Sequence, residues 1–256
     1  MPQKTFSKSN WIRLREALLD LLFPRQDLWS HEPVLDSVTG GKYLSATSIR
    51  YLRFIHAPVC DTCGFPLYGV TDGSEACQQC RHLASPAFES NRSMLLLNRL
   101  GRRIVHELKY HEGLYLLEDL AFLARNHASW DLSERVRGHQ LVPVPLHTLK
   151  LRERGYNQSL LLANVFAQNL GDSNTCVLDA LVRTRATHSQ TLMDRRTRMR
   201  NVRSAFAMRP DVCLDPNRPV TLIDDVFTTG STIHACALTL HKAGVKTVRS
   251  LTLGHG

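Results

Sequence analysis

The chain has no apolar run long enough to cross a bilayer, and its leucine-rich beginning, "LREALLDLLFP", is broken by Arg15, Glu16 and Asp20. A membrane span needs about 20 consecutive apolar residues and a secretory leader needs an unbroken apolar centre, so neither is expected. Acidic excess is missing as well: the net charge is +9, which turns the surface toward polyanions such as nucleic acid, nucleotides or acidic lipid. Aromatic residues make up only 7% of the chain and do not alternate with basic ones, so no base-stacking platform shows; Tyr110, Tyr156 and Phe206 are ordinary candidates. Internal repeats and low-complexity tracts are absent. Seven cysteines are odd in number and too sparse in 256 residues for a disulfide scaffold, and they fit a reducing cytoplasm. Cys176, Cys213 and Cys236 stand alone and read as small buried hydrophobes.

At 43% hydrophobic content the chain has the makings of one main core with smaller additions. Residues 11 to 23, "WIRLREALLDLLF", repeat apolar side chains at helical spacing until Pro24 stops them. From Arg25 to about Ala57 the periodicity is weak and Gly, Pro and Ser are scattered, so residues 1–57 read as a helix followed by an irregular extension. A compact cysteine module, residues 58–90, follows. From residue 91 to 256 helical and strand-like segments alternate. "RLGRRIVHELKYHEG", "LYLLEDLAFLARNH" and "SLLLANVFAQNLG" read as helices, the last ended by Gly171, while "HQLVPVPLH" is a short apolar run closed by prolines. "RPVTLIDDV", "STIHACALTLHKAG" and "KTVRSLTLG" form strand, helix and strand, with Ile233, Ala237 and Leu240 on one helix face and Gly244 as the terminator. Such a crossover unit predicts an α/β fold with a mostly parallel sheet and flanking helices.

"CDTCG" and "CQQCR" place Cys60, Cys63, Cys77 and Cys80 in two C-x-x-C pairs with 13 residues between them. Two residues between thiolates let a tight knuckle aim both sulfurs at one ion, and two knuckles complete a tetrahedron, which predicts structural zinc ahead of the alternatives, a redox dithiol or an unmetallated pair. Four sulfurs leave no open coordination position, so such a metal holds the fold rather than reacts. A module this small cannot be held by apolar burial alone. His56 and His82 lie nearby and read as surface residues.

"VTLIDDVFTTGST", residues 220 to 232, sets two acids and a cluster of hydroxyls after a buried strand. In an open parallel sheet, ligands bind beyond the carboxyl ends of strands, where the next loop delivers N–H groups and the positive end of a helix. Thr228, Thr229, Gly230, Ser231 and Thr232 therefore form a candidate phosphate loop, with Gly230 allowing close approach. Asp224 and Asp225 cannot serve an anion. They call for vicinal hydroxyls of a sugar, or a magnesium ion shared with it.

This stretch resembles the phosphoribosyl pyrophosphate signature of the type I phosphoribosyltransferases. In that family the acidic pair contacts the ribose hydroxyls and the loop holds the 5′-phosphate. Together with "LLFP", the cysteine module, "LVPVPLHTLKLRERGYNQS" and "RTRATHSQTLMDRRTRMRNVRSAF", it is similar to the ComF family of competence-associated proteins, which join a zinc ribbon to a phosphoribosyltransferase-like domain. The resemblance covers residues 58 to 256, and more weakly 11 to 24. It implies a pyrophosphate-binding loop after "PVPLH", with Arg152, Arg154 and Gly155 as candidates, and Lys109 of "ELKYH" beside them; a helix-end lysine favouring the dipole is the plain alternative for Lys109.

Between Arg183 and Arg203 stand seven arginines and one acid, Asp194. Three readings stay open: pyrophosphate under a closing loop, a nucleic-acid backbone contacted by residues such as Arg195, Arg196 and Arg198, or a basic surface loop without a specific partner. The chain departs from the family in placing Cys60 36 positions after Pro24. After the last strand no hood segment that would grip a nucleobase is expected. Two functions lead, ahead of a more distant third in which the chain is a regulatory protein that senses the ligand without a DNA role. The first is a cytoplasmic DNA-uptake factor that binds phosphoribosyl pyrophosphate with magnesium and supports natural transformation, with single-stranded DNA and other uptake proteins as candidate partners. The second is an active phosphoribosyltransferase acting on an unidentified nitrogen acceptor, for which no general base can be named.

Overall fold

The computed structural model of the chain describes residues 24–34, 40–67, 77, 80, 83, 85–110, 113–184 and 205–256. The helix expected over 11 to 23 lies outside the described residues. The chain divides into two compact units, Met1–Tyr51 and Leu52–Gly256.

In the first unit, one buried acid organises what reads in sequence as an irregular extension. Asp27 accepts hydrogen bonds from the backbone N–H groups of Trp29 (2.9 Å), Ser30 (2.8 Å) and Ser45 (2.6 Å) and from the Ser48 hydroxyl (2.7 Å). Burial raises its pKa, but these donors outweigh it and bring the carboxyl down to about 2. Helix α1, Ala46–Tyr51, begins beside this knot, and Tyr51 stacks on Trp29 at 5.3 Å.

The second unit is built on a six-stranded sheet. Its strands are β1 (Arg53–Phe54), β2 (Asn91–Leu96), β3 (Gln140–Pro143), β4 (Cys176–Val177), β7 (Val220–Phe227) and β8 (Val248–His255), in the order β1-β2-β8-β7-β3-β4. All neighbours are parallel except β1, which runs antiparallel to β2. The strand β1 falls in the stretch that carries no strand signal in the sequence. The central strands β3, β7 and β8 are buried almost throughout, as strands covered on both faces must be. Two further strands, β5 (Leu181–Arg183) and β6 (Phe206–Met208), pair antiparallel as a separate ribbon.

The helices follow the expected periodicity. Helix α2, Arg99–Tyr110, starts where Asn98 accepts from the Gly101 N–H and buries Leu100, Ile104, Val105 and Leu108. A 3₁₀ turn, Gly113–Leu116, precedes α3, Leu117–His127, and the short α4, Trp130–Ser133, follows. Helix α5, Thr148–Arg154, ends at Gly155, whose φ of 81° is left-handed. Helix α6, Gln158–Leu170, packs on α3, β3 and β7, while α7, Ser231–Lys242, packs on β6, β7 and β8 and buries Ile233, Ala237 and Leu240. Among the described residues no helix is long and apolar enough to cross a membrane.

Gly171 ends α6 as expected, but for a different reason from the usual one. Its φ is −77°, open to any residue, and what it needs is room: a Cβ would stand 2.4 Å from the Ala167 carbonyl oxygen. Gly171→Ala should therefore cost about 1–3 kcal/mol, read as a lowered urea midpoint at unchanged slope.

Candidate ligand site at the end of the central strand

Strand β7 does not stop at the hydrophobic "VTLI". It runs through both acids to Phe227, with Asp224 paired to Thr252 and Phe227 to His255 of β8. The acids are met from outside the sheet. The Ser159 hydroxyl donates to Asp224 Oδ1 (3.0 Å), which also accepts from the Asp225 N–H (2.9 Å). Gln158 Nε2 donates to Asp225 Oδ1 (2.9 Å), and Lys109, in the last turn of α2, forms an ion pair with Asp225 Oδ2. Lys109 thus does more than favour a helix dipole.

Gln158 and Ser159 stand at the start of α6, held there by Asn157. The Asn157 side chain accepts from the Ser159 N–H (3.1 Å) and donates to the Val144 carbonyl (3.1 Å), fastening the helix start to the end of β3. Both residues are missing from the sequence-derived candidates, although they belong to the "RGYNQS" string that carries part of the resemblance. Their signal is two buried polar side chains at the start of an otherwise apolar helix.

The loop Thr228–Thr232 caps α7. Gly230 has φ 68°, and a Cβ there would lie 2.8 Å from the Phe227 ring, so glycine is required by backbone conformation and by Phe227. Thr228 and Thr229 are exposed, and the Thr229 and Ser231 hydroxyls lie 2.9 Å apart. Ser231 and Thr232 are half-buried in the first turn of α7.

Lys109 also lines a cleft of about 440 Å³ with Tyr110, Lys150, Glu153, Arg154 and Tyr156. Three cations face one acid there. Arg154 bonds Gln158 and lies over the Tyr110 ring at 5.4 Å, and the Tyr156 hydroxyl donates to the Leu108 carbonyl (2.9 Å). Of the residues expected after "PVPLH", Arg154 lines this cleft, Gly155 shapes the turn beside it, and Arg152 is exposed and outside the lining. Lys150 and Glu153 are additions to the sequence-derived set. Arg183, on β5, is the one arginine of the Arg183–Arg203 segment among the described residues; it lies over the Phe206 ring at 5.6 Å. Arg195, Arg196 and Arg198 lie outside the described residues.

The cysteines form a second site. Sγ atoms of Cys60, Cys63, Cys77 and Cys80 all lie within 4.8 Å of one another, with 3.6 Å between Cys60 and Cys80 and 3.3 Å between Cys63 and Cys77. Tetrahedral zinc at a Zn–S distance of about 2.3 Å sets its sulfurs ~3.8 Å apart, so the quartet fits this ion. Burial raises the Cys63 and Cys80 thiols, Cys80 to about 12, with the neighbouring sulfurs adding to the rise. Burial also acts upward on Cys60, but backbone N–H groups of Cys63, Thr62 and Cys77 bring it down to about 7. Four sulfurs this close, once ionised, would need a cation between them.

No family model matches the chain. Among curated proteins it is 34% identical over 119 residues to competence protein F of Haemophilus influenzae, covering 44% of this chain and 51% of that protein. It is 33% identical over 155 residues to DNA utilization protein YhgH of Salmonella typhimurium, and 32% identical over the same length to the YhgH protein of Escherichia coli K12, in both cases covering 57% of this chain and 63% of the relative. These matches support assigning the chain to the ComF family. It spans between half and two thirds of the length of these relatives. The cysteine quartet and the mostly parallel α/β sheet expected of a ComF chain are both observed, with the short edge strand β1 preceding the cysteines and the rest of the sheet following them.

Burial first, and then the Asp225 charge, raises the Asp224 carboxyl above the ordinary range. A carboxyl raised in the folded state favours folding below its unfolded pKa and loses that contribution as pH climbs toward the folded value. Asp224→Asn should therefore melt higher than the parent protein near pH 8, by about 1 kcal/mol or more, and show little difference near pH 4; thermal melts across pH check this.

Proposed function

We propose that this ComF-family chain is a cytoplasmic protein that binds phosphoribosyl pyrophosphate with magnesium and serves DNA uptake. The observation that carries the reading is the meeting of three features around the end of β7: two adjacent carboxylates, a hydroxyl-rich loop capping α7, and a cleft with three cations reached through Lys109. Each matches one part of the ligand.

When ionised, the acids offer acceptor oxygens alone, which suits the two hydroxyls of a ribose or a shared magnesium ion. Asp224, crowded by its neighbour's charge, gains most from such a partner. The loop at the positive end of α7 suits a 5′-phosphate, and Thr229 and Ser231 offer hydroxyl donors there. Lys109, Lys150 and Arg154 suit the pyrophosphate. Bound magnesium would neutralise phosphate charge; the chain's own residues orient the ribose and separate its two anionic ends.

The DNA role is supported by the relatives' names, competence protein F and DNA utilization protein, and by the net charge of +9. Among the described residues nothing favours a particular nitrogen acceptor, and ligand binding is the function the geometry supports best.

Calorimetric titration with phosphoribosyl pyrophosphate and magnesium should give saturable heat that Asp224→Asn/Asp225→Asn abolishes. The heat near pH 7 should also vary with the ionisation enthalpy of the buffer, because engaging Asp224 releases its proton; heat unaffected by the double substitution overturns the assignment. For single-stranded DNA, binding should weaken steeply between 50 and 200 mM salt, by about tenfold or more, and weaken again when Arg195, Arg196 and Arg198 become alanine. Salt-independent binding would exclude a phosphate-backbone contact.

A further inference from the structure

The cysteine quartet and the loop at 228–232 share one apolar cluster. Cys60, Cys63 and Cys80 are buried in it together with Phe88, Phe227, Ile233 and Cys236, so the metal knuckles and the base of the loop belong to a single packed body. Three lines of contact cross it.

The first is a column of rings. Phe65, at the turn closed by the Cys60–Phe65 backbone hydrogen bond (2.9 Å), meets the edge of His255 at 5.3 Å; His255 in turn lies 5.2 Å from Phe227, the residue immediately before the loop. The second runs through Phe88, a few residues after the second cysteine pair, whose ring meets Phe227 edge-on at 6.0 Å. Beside it, the Ala87 N–H donates to Nδ1 of His234 in the first turn of α7 (3.0 Å). The third is Leu83. Its N–H bonds the Cys80 carbonyl (2.8 Å), and its Cδ1 lies 3.3 Å from where a Cβ on Gly230 would be. A Cβ on Gly230 would thus meet both Phe227 and a residue that follows the second knuckle.

We infer that the cysteine module and the loop Thr228–Thr232 are energetically coupled sites: metal held by the four sulfurs fixes Phe65, Leu83 and Phe88, and these hold Phe227 and Gly230 in the conformation that presents the loop to an anion. Phe227, His255, Leu83 and Phe88 are positioning residues in this scheme and touch no ligand. Packed contacts of this kind have discrete arrangements, so loosening one end is transmitted rather than absorbed. The coupling deepens the phosphoribosyl reading of the loop and rests on it only for the identity of the anion. Because coupling is reciprocal, whatever factor the metal adds to anion affinity the anion adds to metal affinity.

Amide hydrogen exchange on the full-length metal-loaded protein, before and after chelation, reads the first half of the inference without any ligand. Exchange at residues 228–233 should rise about tenfold or more on metal removal, while Gln158–Leu170 changes far less. Phe88→Leu and His255→Leu, with metal content verified, should raise exchange in the same loop and weaken phosphoribosyl pyrophosphate binding about five- to tenfold. The reciprocal arm is the rate of metal transfer to a chromogenic chelator, which saturating ligand should slow. Loop exchange indifferent to chelation and to both variants overturns the coupling. If titration gives no heat with the ligand while loop exchange still responds to metal, the coupling stands and the phosphoribosyl reading falls; ligand that binds but leaves the transfer rate unchanged counts against the coupling alone.

Discussion

Two carboxylates on adjacent residues at the end of a central strand are costly to hold, and the second unit is arranged around the donors that hold them. Asp225 is 4% exposed, so its charge cannot rely on water and must be met by Lys109 and Gln158. Removing either partner from a buried charge leaves a penalty larger than the pair's net worth. That requirement fixes where α2 must end and where α6 must begin. It also explains the polar first turn of α6, since Gln158 and Ser159 occupy positions that packing alone would give to aliphatic residues. Asp224 is met by the Ser159 hydroxyl and a backbone N–H, with the Arg183 charge near enough to act on it.

The site is therefore assembled from three directions rather than from one motif. Strand β7 supplies the acids, the loop before α7 supplies hydroxyls, and α2 with α5 supplies cations around a cleft. The cysteine module adds a fourth influence, since its knuckles lie in the same apolar cluster as the strand and the loop base. Fold and site are not separable here: Phe227 is both the last residue of a core strand and a wall for Gly230.

What the sequence makes legible is what is local. The cysteine quartet follows from two short spacings, β7 and α7 from their periodicities, and the acid pair with its loop from one contiguous string. The end of β7 is less legible, because acids read as a strand terminus while in the sheet they continue the pairing with β8. Partners brought from far along the chain are least legible. Lys109 lies 116 positions before Asp225 in the sequence, and only the sheet order brings them together. The extension before residue 57 shows the same limit twice: Asp27 closes a local knot through serines 3 to 21 positions away, and Arg53–Phe54 becomes a strand only because β2 offers it an edge.

That edge has a meaning of its own. Among the described residues the six-stranded sheet ends on both sides in strands of two residues, β1 and β4. A long open edge is a template on which another chain can add a strand, and short edge strands are one way proteins deny that template. Edges trimmed in this way offer little purchase for strand-by-strand stacking of copies.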